Sequence, residues 1–63
     1  MKTEVELKKI AKEIATLEIK IMKTSDKEKK KNLENKMMKK ISNYNLGIFD
    51  MLAIDEMVQD MLQ

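Results

Sequence analysis

Apolar residues recur with a helical period along the first third of the chain. Their spacing alternates between three and four residues, as at the a and d positions of a heptad repeat, through Leu7, Ile10, Ile14, Leu17 and Ile21. Thr3 followed three positions later by Glu6 is a capping-box pattern, which marks the start of a helix. The pattern predicts an amphipathic helix over about residues 4–23.

The stripe stops at Thr24 and a looser one begins after a short polar segment. Ser25 followed by Glu28 is a second capping-box pattern, and a helix is predicted over about residues 27–45. A turn at 24–26 favours an antiparallel hairpin. One unbroken helix is the alternative, because Thr, Ser and Asp each cost only a few tenths of a kcal/mol inside a helix. The hairpin seam is expected to consist of Leu7, Ile10, Ile14, Leu17, Ile21, Met37, Ile41 and Tyr44.

A third apolar stripe follows Gly47, the one glycine of the chain. The second stripe slips near this glycine, so a break or kink is predicted at residues 45–48. Gly47 either ends the second helix as a left-handed residue or costs roughly 1 kcal/mol inside a continuous helix. The tail, about residues 48–62, is predicted to be an amphipathic helix whose apolar face docks on a partner. The alternative is that this face packs on the chain's own hairpin or on a second copy. The partner-binding residues are expected to be Ile48, Phe49, Met51, Leu52, Ile54, Met57, Val58 and Met61.

The composition agrees with helices along the whole chain. Pro is absent and good helix formers such as Lys, Glu, Leu, Met, Ile and Ala dominate the 63 residues. The predicted fold class is all-α, a single domain over residues 1–63 with a hairpin and a C-terminal amphipathic helix. A small core with no cysteine for a disulfide supplies little stability. We therefore expect oligomerisation to complete the bundle.

The residue types for most catalytic and ligand chemistry are missing. The chain contains no His and no Cys, which excludes the usual nucleophiles and general bases, and we expect no enzyme and no cofactor. The acidic residues of the tail lack the loop spacing of a calcium site, so no metal is expected. No apolar run approaches the roughly 20 residues of a membrane span. Since no signal peptide is apparent either, the default expectation is a cytoplasmic location.

Charge is segregated along the chain. Residues 24–45 hold seven Lys and three acidic residues, a net charge of +4, whereas residues 46–63 hold four acidic residues and no Lys, a net charge of −4. The basic segment is either a solvated helix surface or a face that contacts the phosphates of a nucleic acid. Arg, which favours phosphate and base contacts, is absent. The residues of the possible nucleic-acid face are Lys27, Lys29, Lys30, Lys31, Lys36, Lys39 and Lys40.

One short segment resembles a known family. Residues 40–46 read Lys-Ile-Ser-Asn-Tyr-Asn-Leu, similar to the Lys-Leu-Ser-acidic-Tyr-Asn-Leu pattern after the turn of type III secretion needle and inner-rod subunits. The match covers seven residues, and it implies a small helical hairpin that polymerises. Length and hairpin layout are also similar to those of a dimeric RNA-binding regulator of plasmid copy number, an analogy of fold alone.

These patterns together predict a non-enzymatic protein–protein interaction module that acts through its heptad and amphipathic apolar faces. It would serve as a small adaptor, a chaperone-like or regulatory protein, or an assembly subunit, with a protein partner, a second copy of itself, or both. A small dimeric nucleic-acid-binding regulator is the alternative, and a polymerising subunit similar to the needle proteins is a further one. Changing Leu52 and Met57 to Asp is expected to abolish association.

Overall fold

A computed structural model describes residues 2–63 and contains three helices within that range. They are α1 (Glu4–Lys23), α2 (Lys27–Asn43) and α3 (Ile48–Leu62). Helices account for 84% of the described residues, and no strand occurs among them, so the prediction of an all-α fold is confirmed. The second helix ends two residues before the boundary taken from the sequence.

The first two helices begin at side-chain caps. The Thr3 hydroxyl oxygen accepts a hydrogen bond from the Glu6 backbone N–H at 3.2 Å, and the hydroxyl donates to the Glu6 carboxylate at 3.1 Å. At the start of α2 the cap is Asp26, whose carboxylate accepts from the Glu28 N–H at 2.9 Å. The prediction of Ser25 as this cap was wrong by one residue. A carboxylate is favoured there because its charge lies at the positive end of the helix dipole.

The chain breaks between α2 and α3 at the predicted place, but a different residue makes the turn. Asn45 has a φ of 50°, and the N–H groups of Tyr44 and Asn45 bond back to the last turn of α2. Gly47 is extended, with a φ of −76°, and it caps the start of α3. The sequence offered two roles for Gly47, a left-handed residue at the end of α2 or a position inside a continuous helix, and it has neither. Asn also tolerates the left-handed conformation, because its short polar side chain can bond locally.

α1 lies at the centre of the fold and packs against both other helices, whereas within residues 2–63 no Cα atom of α2 lies within 8 Å of a Cα atom of α3. The main interface joins α1 to α3, where the small Ala11 and Ala15 allow a close approach of the second helix. α2 contains no buried residue, so its interface with α1 is the smaller of the two. Half of the predicted seam residues are buried, namely Leu7, Ile10, Ile14 and Leu17 of α1, and the other half, Ile21, Met37, Ile41 and Tyr44, are half-buried. The buried cluster consists of Leu7, Ile10, Ala11, Ile14, Ala15, Ile54 and Val58. Its half-buried neighbours on α2 and at the break are Met37, Ile41, Tyr44 and Leu46.

The three helices form a thin and open arrangement. Its extents are 37 × 25 × 15 Å, and its radius of gyration is 12.0 Å, compared with about 10.6 Å for a compact chain of this length. The accessible surface is 5168 Å², and a monomer of 7.4 kDa is expected to expose about 4,200 Å². The chain therefore exposes about 1,000 Å² more surface than a compact monomer of its mass.

Candidate protein-interaction surfaces

α3 carries large apolar side chains on two opposite sides. Its inner side is formed by Ile54 and Val58, which are 2% and 3% exposed against α1. Ile48, Phe49 and Leu52 are 79%, 77% and 61% exposed. Leu52 precedes Ile54 by two residues, which is a rotation of about 200° around a helix. These three residues, together with the exposed Asp55 and Glu56 beside them, are called the α3 outer patch below.

The predicted partner-binding set is divided by the fold. Ile54 and Val58 belong to the core and are not available to a partner, because the face around them packs against Ala11 and Ala15 of α1. Met57 is half-buried against the same core. Met51 and Met61 are a little over one-third exposed, and Ile48, Phe49 and Leu52 are the members of the set with most of their side chain in solvent. Changing Met57 would therefore disturb the core as well as a binding surface, whereas Phe49 and Leu52 are both exposed.

Asp50 is a buried charged residue at the start of α3. It is the third residue of α3 and is 9% exposed. Its carboxylate lies in the first turn, where the positive end of the helix dipole favours a negative charge. Asp50 shares an open depression with Gly47 and Phe49 at the start of the helix.

A groove lined by methionines lies between the C-terminal half of α1 and the middle of α2. Its volume is about 380 Å³, and its floor and walls are mainly apolar. Met22 and Met38 are exposed, and Glu18 and Glu34 provide the acidic groups. The groove, called the methionine groove below, is open because α3 lies against the other half of α1. The sequence patterns placed Met37 in the hairpin seam and did not identify Met22.

α2 is held to α1 by a polar cluster at its C-terminal end. The Tyr44 hydroxyl donates a hydrogen bond to the Glu13 carboxylate. The ammonium of Lys40 lies 3.9 Å from the same carboxylate oxygen. The hydrogen bond to Glu13, supported by burial and by the negative charge of that residue, raises the pKa of Tyr44. The cluster is a structural contact between the two helices.

The lysines of the predicted nucleic-acid face do not share one side of α2. Lys29, Lys30 and Lys31 are consecutive, and consecutive helical residues lie about 100° apart around the axis. All the α2 lysines except the half-buried Lys40 are exposed, and they surround the helix. The seven lysines together form a basic collar around α2, in which Lys29, Lys36, Lys39 and Lys40 lie within about 50° of one line on a helical projection.

Within residues 2–63, no helix has both the length and the apolar character needed to cross a bilayer. In the same range no three acidic side chains are placed where they could hold a metal ion together. The segment that resembles needle and inner-rod subunits forms the last turn of α2 and the start of the break. No protein-family model, curated protein or solved structure matches the chain.

Proposed function

We propose that this chain is a non-enzymatic helical interaction module that binds protein through the α3 outer patch. The observation that carries the proposal is the exposure of three adjacent large apolar side chains on the side of α3 that faces away from the core. Contiguous exposed apolar surface of this kind usually marks a binding site. Phe49 is the natural anchor, because buried aromatic residues supply much of the free energy at protein interfaces.

The size of the exposed surface supports the same proposal. One partner in a standard-size protein interface buries about 800 Å². The surface that this chain exposes beyond a compact monomer of its mass is of similar size, about 1,000 Å². An adaptor or assembly subunit that hides this surface on binding fits the geometry better than a chain that acts alone.

The test is a paired substitution with a matched control. Phe49→Ser with Leu52→Ser removes the apolar part of the outer patch, and Met22→Ser with Met38→Ser removes a similar amount of exposed apolar surface from the methionine groove. Both variants should retain helical circular dichroism, because none of the four residues belongs to the buried cluster.

Each variant and the wild-type chain are immobilised and exposed to an extract of the native host, and bound proteins are quantified by mass spectrometry. We expect proteins that bind the wild-type chain to be lost with the outer-patch variant and retained with the groove variant. Retention of the same proteins by both variants would remove the outer patch from the proposal.

Nucleic-acid binding by α2 is the second candidate function. Its support is that six of the seven α2 lysines are exposed and that α2 contains no buried residue. Such a collar would contact phosphates without reading sequence, so its affinity would fall steeply with salt. Fluorescence anisotropy with an RNA hairpin and a DNA duplex at two salt concentrations measures that slope. Binding that is absent even at low salt excludes this candidate.

A further inference from the structure

α1 turns its lysines outward, away from the buried cluster. All five lie within about 60° of the line opposite Ile14 on a helical projection. The same side of the helix carries the exposed apolar residues Val5 and Ile19. The five lysines, called the α1 lysine stripe, are Lys8, Lys9, Lys12, Lys20 and Lys23.

The glutamates of α1 lie on its other sides. Glu13 accepts the hydrogen bond of Tyr44, and Glu18 lines the methionine groove. Glu4 lies beside the end of α3, and Glu6 bonds to the helix cap at Thr3. The outward side of α1 is therefore basic without interleaved acidic residues, which makes it a more uniform surface than the collar of α2.

A concave site beside the stripe has an apolar lining that could accept an apolar side chain. A depression of about 290 Å³ is lined by Val5 and Met61 and by Lys8, Lys9 and Lys12. Its apolar lining comes from the start of α1 and the end of α3, and its rim is cationic. We call it the lysine-rimmed depression.

The α3 outer patch is complementary to the lysine-rimmed depression, because it combines exposed apolar side chains with acidic ones. It presents Phe49 and Leu52 next to Asp55 and Glu56, and residues 46–63 contain no lysine. The two surfaces cannot meet within one chain, because the outer patch faces away from α1 and the stripe faces away from the core. Only another molecule can bring an α3 outer patch onto a lysine-rimmed depression.

We propose that this molecule is a second copy of the chain, with its α3 outer patch seated on the lysine-rimmed depression. The inference rests on the proposed function and names the partner. Phe49 and Leu52 of one copy contact Val5 and Met61 of the next, and the acidic residues beside them lie near the lysines. Because the contact joins two different surfaces, each added copy leaves one surface of each kind free. The assembly is head-to-tail and grows into a ring or an open chain.

The other basic surface of the chain fits the outer patch less well. The collar of α2 interleaves Glu28 and Glu34 with its lysines. Met38, its exposed large apolar residue, opens onto the methionine groove, where Glu18 and Glu34 would repel an acidic partner. Charge complementarity therefore favours α1 over α2 as the receiving surface.

The experiment uses the full chain and three paired variants. The donor variant, Phe49→Ser with Leu52→Ser, has an altered α3 outer patch and an intact lysine-rimmed depression. The receptor variant, Val5→Ser with Lys12→Glu, has an altered depression and an intact outer patch. The control variant, Met38→Ser with Lys36→Glu, makes the same kinds of change on α2. Lys12 has lysines three and four residues before it, so the new glutamate adds a favourable intrahelical pair and should not unfold α1.

Sedimentation velocity from low micromolar to near-millimolar concentration gives the assembly state of each protein. We expect the wild-type chain and the control variant to assemble. The donor and receptor variants should associate roughly 100-fold more weakly. The donor variant loses two apolar contacts, and the receptor variant loses one apolar contact and one lysine. Salt should weaken the wild-type assembly, because above 0.1 M charges are screened beyond about 10 Å.

Mixing the donor and receptor variants gives the decisive result. Each has one surface intact, so an equimolar mixture should form a dimer that does not grow further. A mixture that stays monomeric, or a receptor variant that assembles like the wild-type chain, overturns the head-to-tail contact. Assembly that only the control variant abolishes also overturns it and places the contact on α2. A wild-type chain that remains monomeric overturns self-association, whereas the capture experiment above separately decides whether the outer patch binds another protein.

Discussion

Tyr44 is the residue that fastens the end of α2 to the central helix. Its hydroxyl donates to the Glu13 carboxylate, and loss of the phenol proton would place two negative charges side by side, so its pKa is raised from 10.0. The Lys40 ammonium is 3.9 Å from the same oxygen, but both side chains are more than one-third exposed. Solvent screens such a pair, and its contribution to stability is small.

The Glu13→Gln variant should lower the Tyr44 pKa toward its ordinary value, because the neutral amide removes the charge beside the phenol. The chain has one Tyr and no Trp, so ultraviolet absorbance titrates this phenol alone. A folded-state pKa above the unfolded one contributes stability below pH 10 that is lost as the pH rises through the folded value. The Tyr44→Phe variant should therefore be less stable by about 1 kcal/mol at neutral pH. The difference from the wild-type chain should shrink at alkaline pH. An unchanged pKa in Glu13→Gln would contradict the assignment.

Two residues within the break between α2 and α3, Asn45 and Gly47, should respond to substitution in opposite directions. Asn45 has a φ of 50°, and an alanine there should destabilise the chain by about 1 kcal/mol. Gly47 has an ordinary φ, a Cβ at this position meets no atom within 4 Å, and α3 lacks a side-chain cap. The Gly47→Ser variant should gain about 0.5 kcal/mol from a new cap and a less flexible unfolded chain. Urea unfolding of the two variants measures both effects, and equal losses would contradict the geometry.

At the scale of the elements, the helices differ in how strongly they are held. α1 and α3 share the buried cluster, whereas α2 touches it with half-buried side chains. Regions with few buried contacts open at a lower free energy than the core. Hydrogen exchange should therefore be roughly tenfold or more faster for amides in the middle of α2 than for those around Ala11 and Ile54.

The stability losses caused by substitutions in α2 and α3 provide a second test of how firmly each helix is held. Replacing Ile54 with alanine should cost about 2–4 kcal/mol, because it leaves a cavity against α1. This loss is comparable to the few kcal/mol that a core of this size supplies. Replacing the half-buried Leu33 of α2 with alanine should cost about 1 kcal/mol or less. Similar losses at the two positions would show that α2 is held as firmly as α3.

The sequence predicts the helices better than it predicts their packing. The heptad spacing and the Thr3 cap are local features, and α1 follows them from Glu4 to Lys23. The apolar stripe of α1 could pack against either of two faces of α3, because both faces carry large apolar residues. Ile54 and Val58 occupy the inner face because they pack against small alanines of α1. Periodicity in one segment contains no information about those alanines.

The positions of the charged surfaces are also difficult to predict from the sequence alone. A run of lysines from Lys27 to Lys31 looks like a patch when it is read along the chain, but rotation along α2 distributes it around the helix. The lysines of α1 are spread over sixteen residues, from Lys8 to Lys23, and helical geometry gathers them on one side. The orientation of that side is set by the burial of Ile14 on the other, which is a property of the folded molecule.

At the scale of the whole molecule, an open fold that hides its excess surface by association should gain stability with concentration. Binding that occurs only in the folded state stabilises it by mass action, and a tenfold rise in concentration contributes up to about 1.4 kcal/mol. For a domain of this size, that gain raises the Tm by about 5–10 °C. Differential scanning fluorimetry of the wild-type chain across a concentration series should show this rise. The Tm of the Phe49→Ser, Leu52→Ser variant should stay constant up to concentrations roughly 100-fold higher, because its folded state associates that much more weakly. A Tm of the wild-type chain that is independent of concentration would mean that the three helices are stable on their own, with the outer patch left in contact with water.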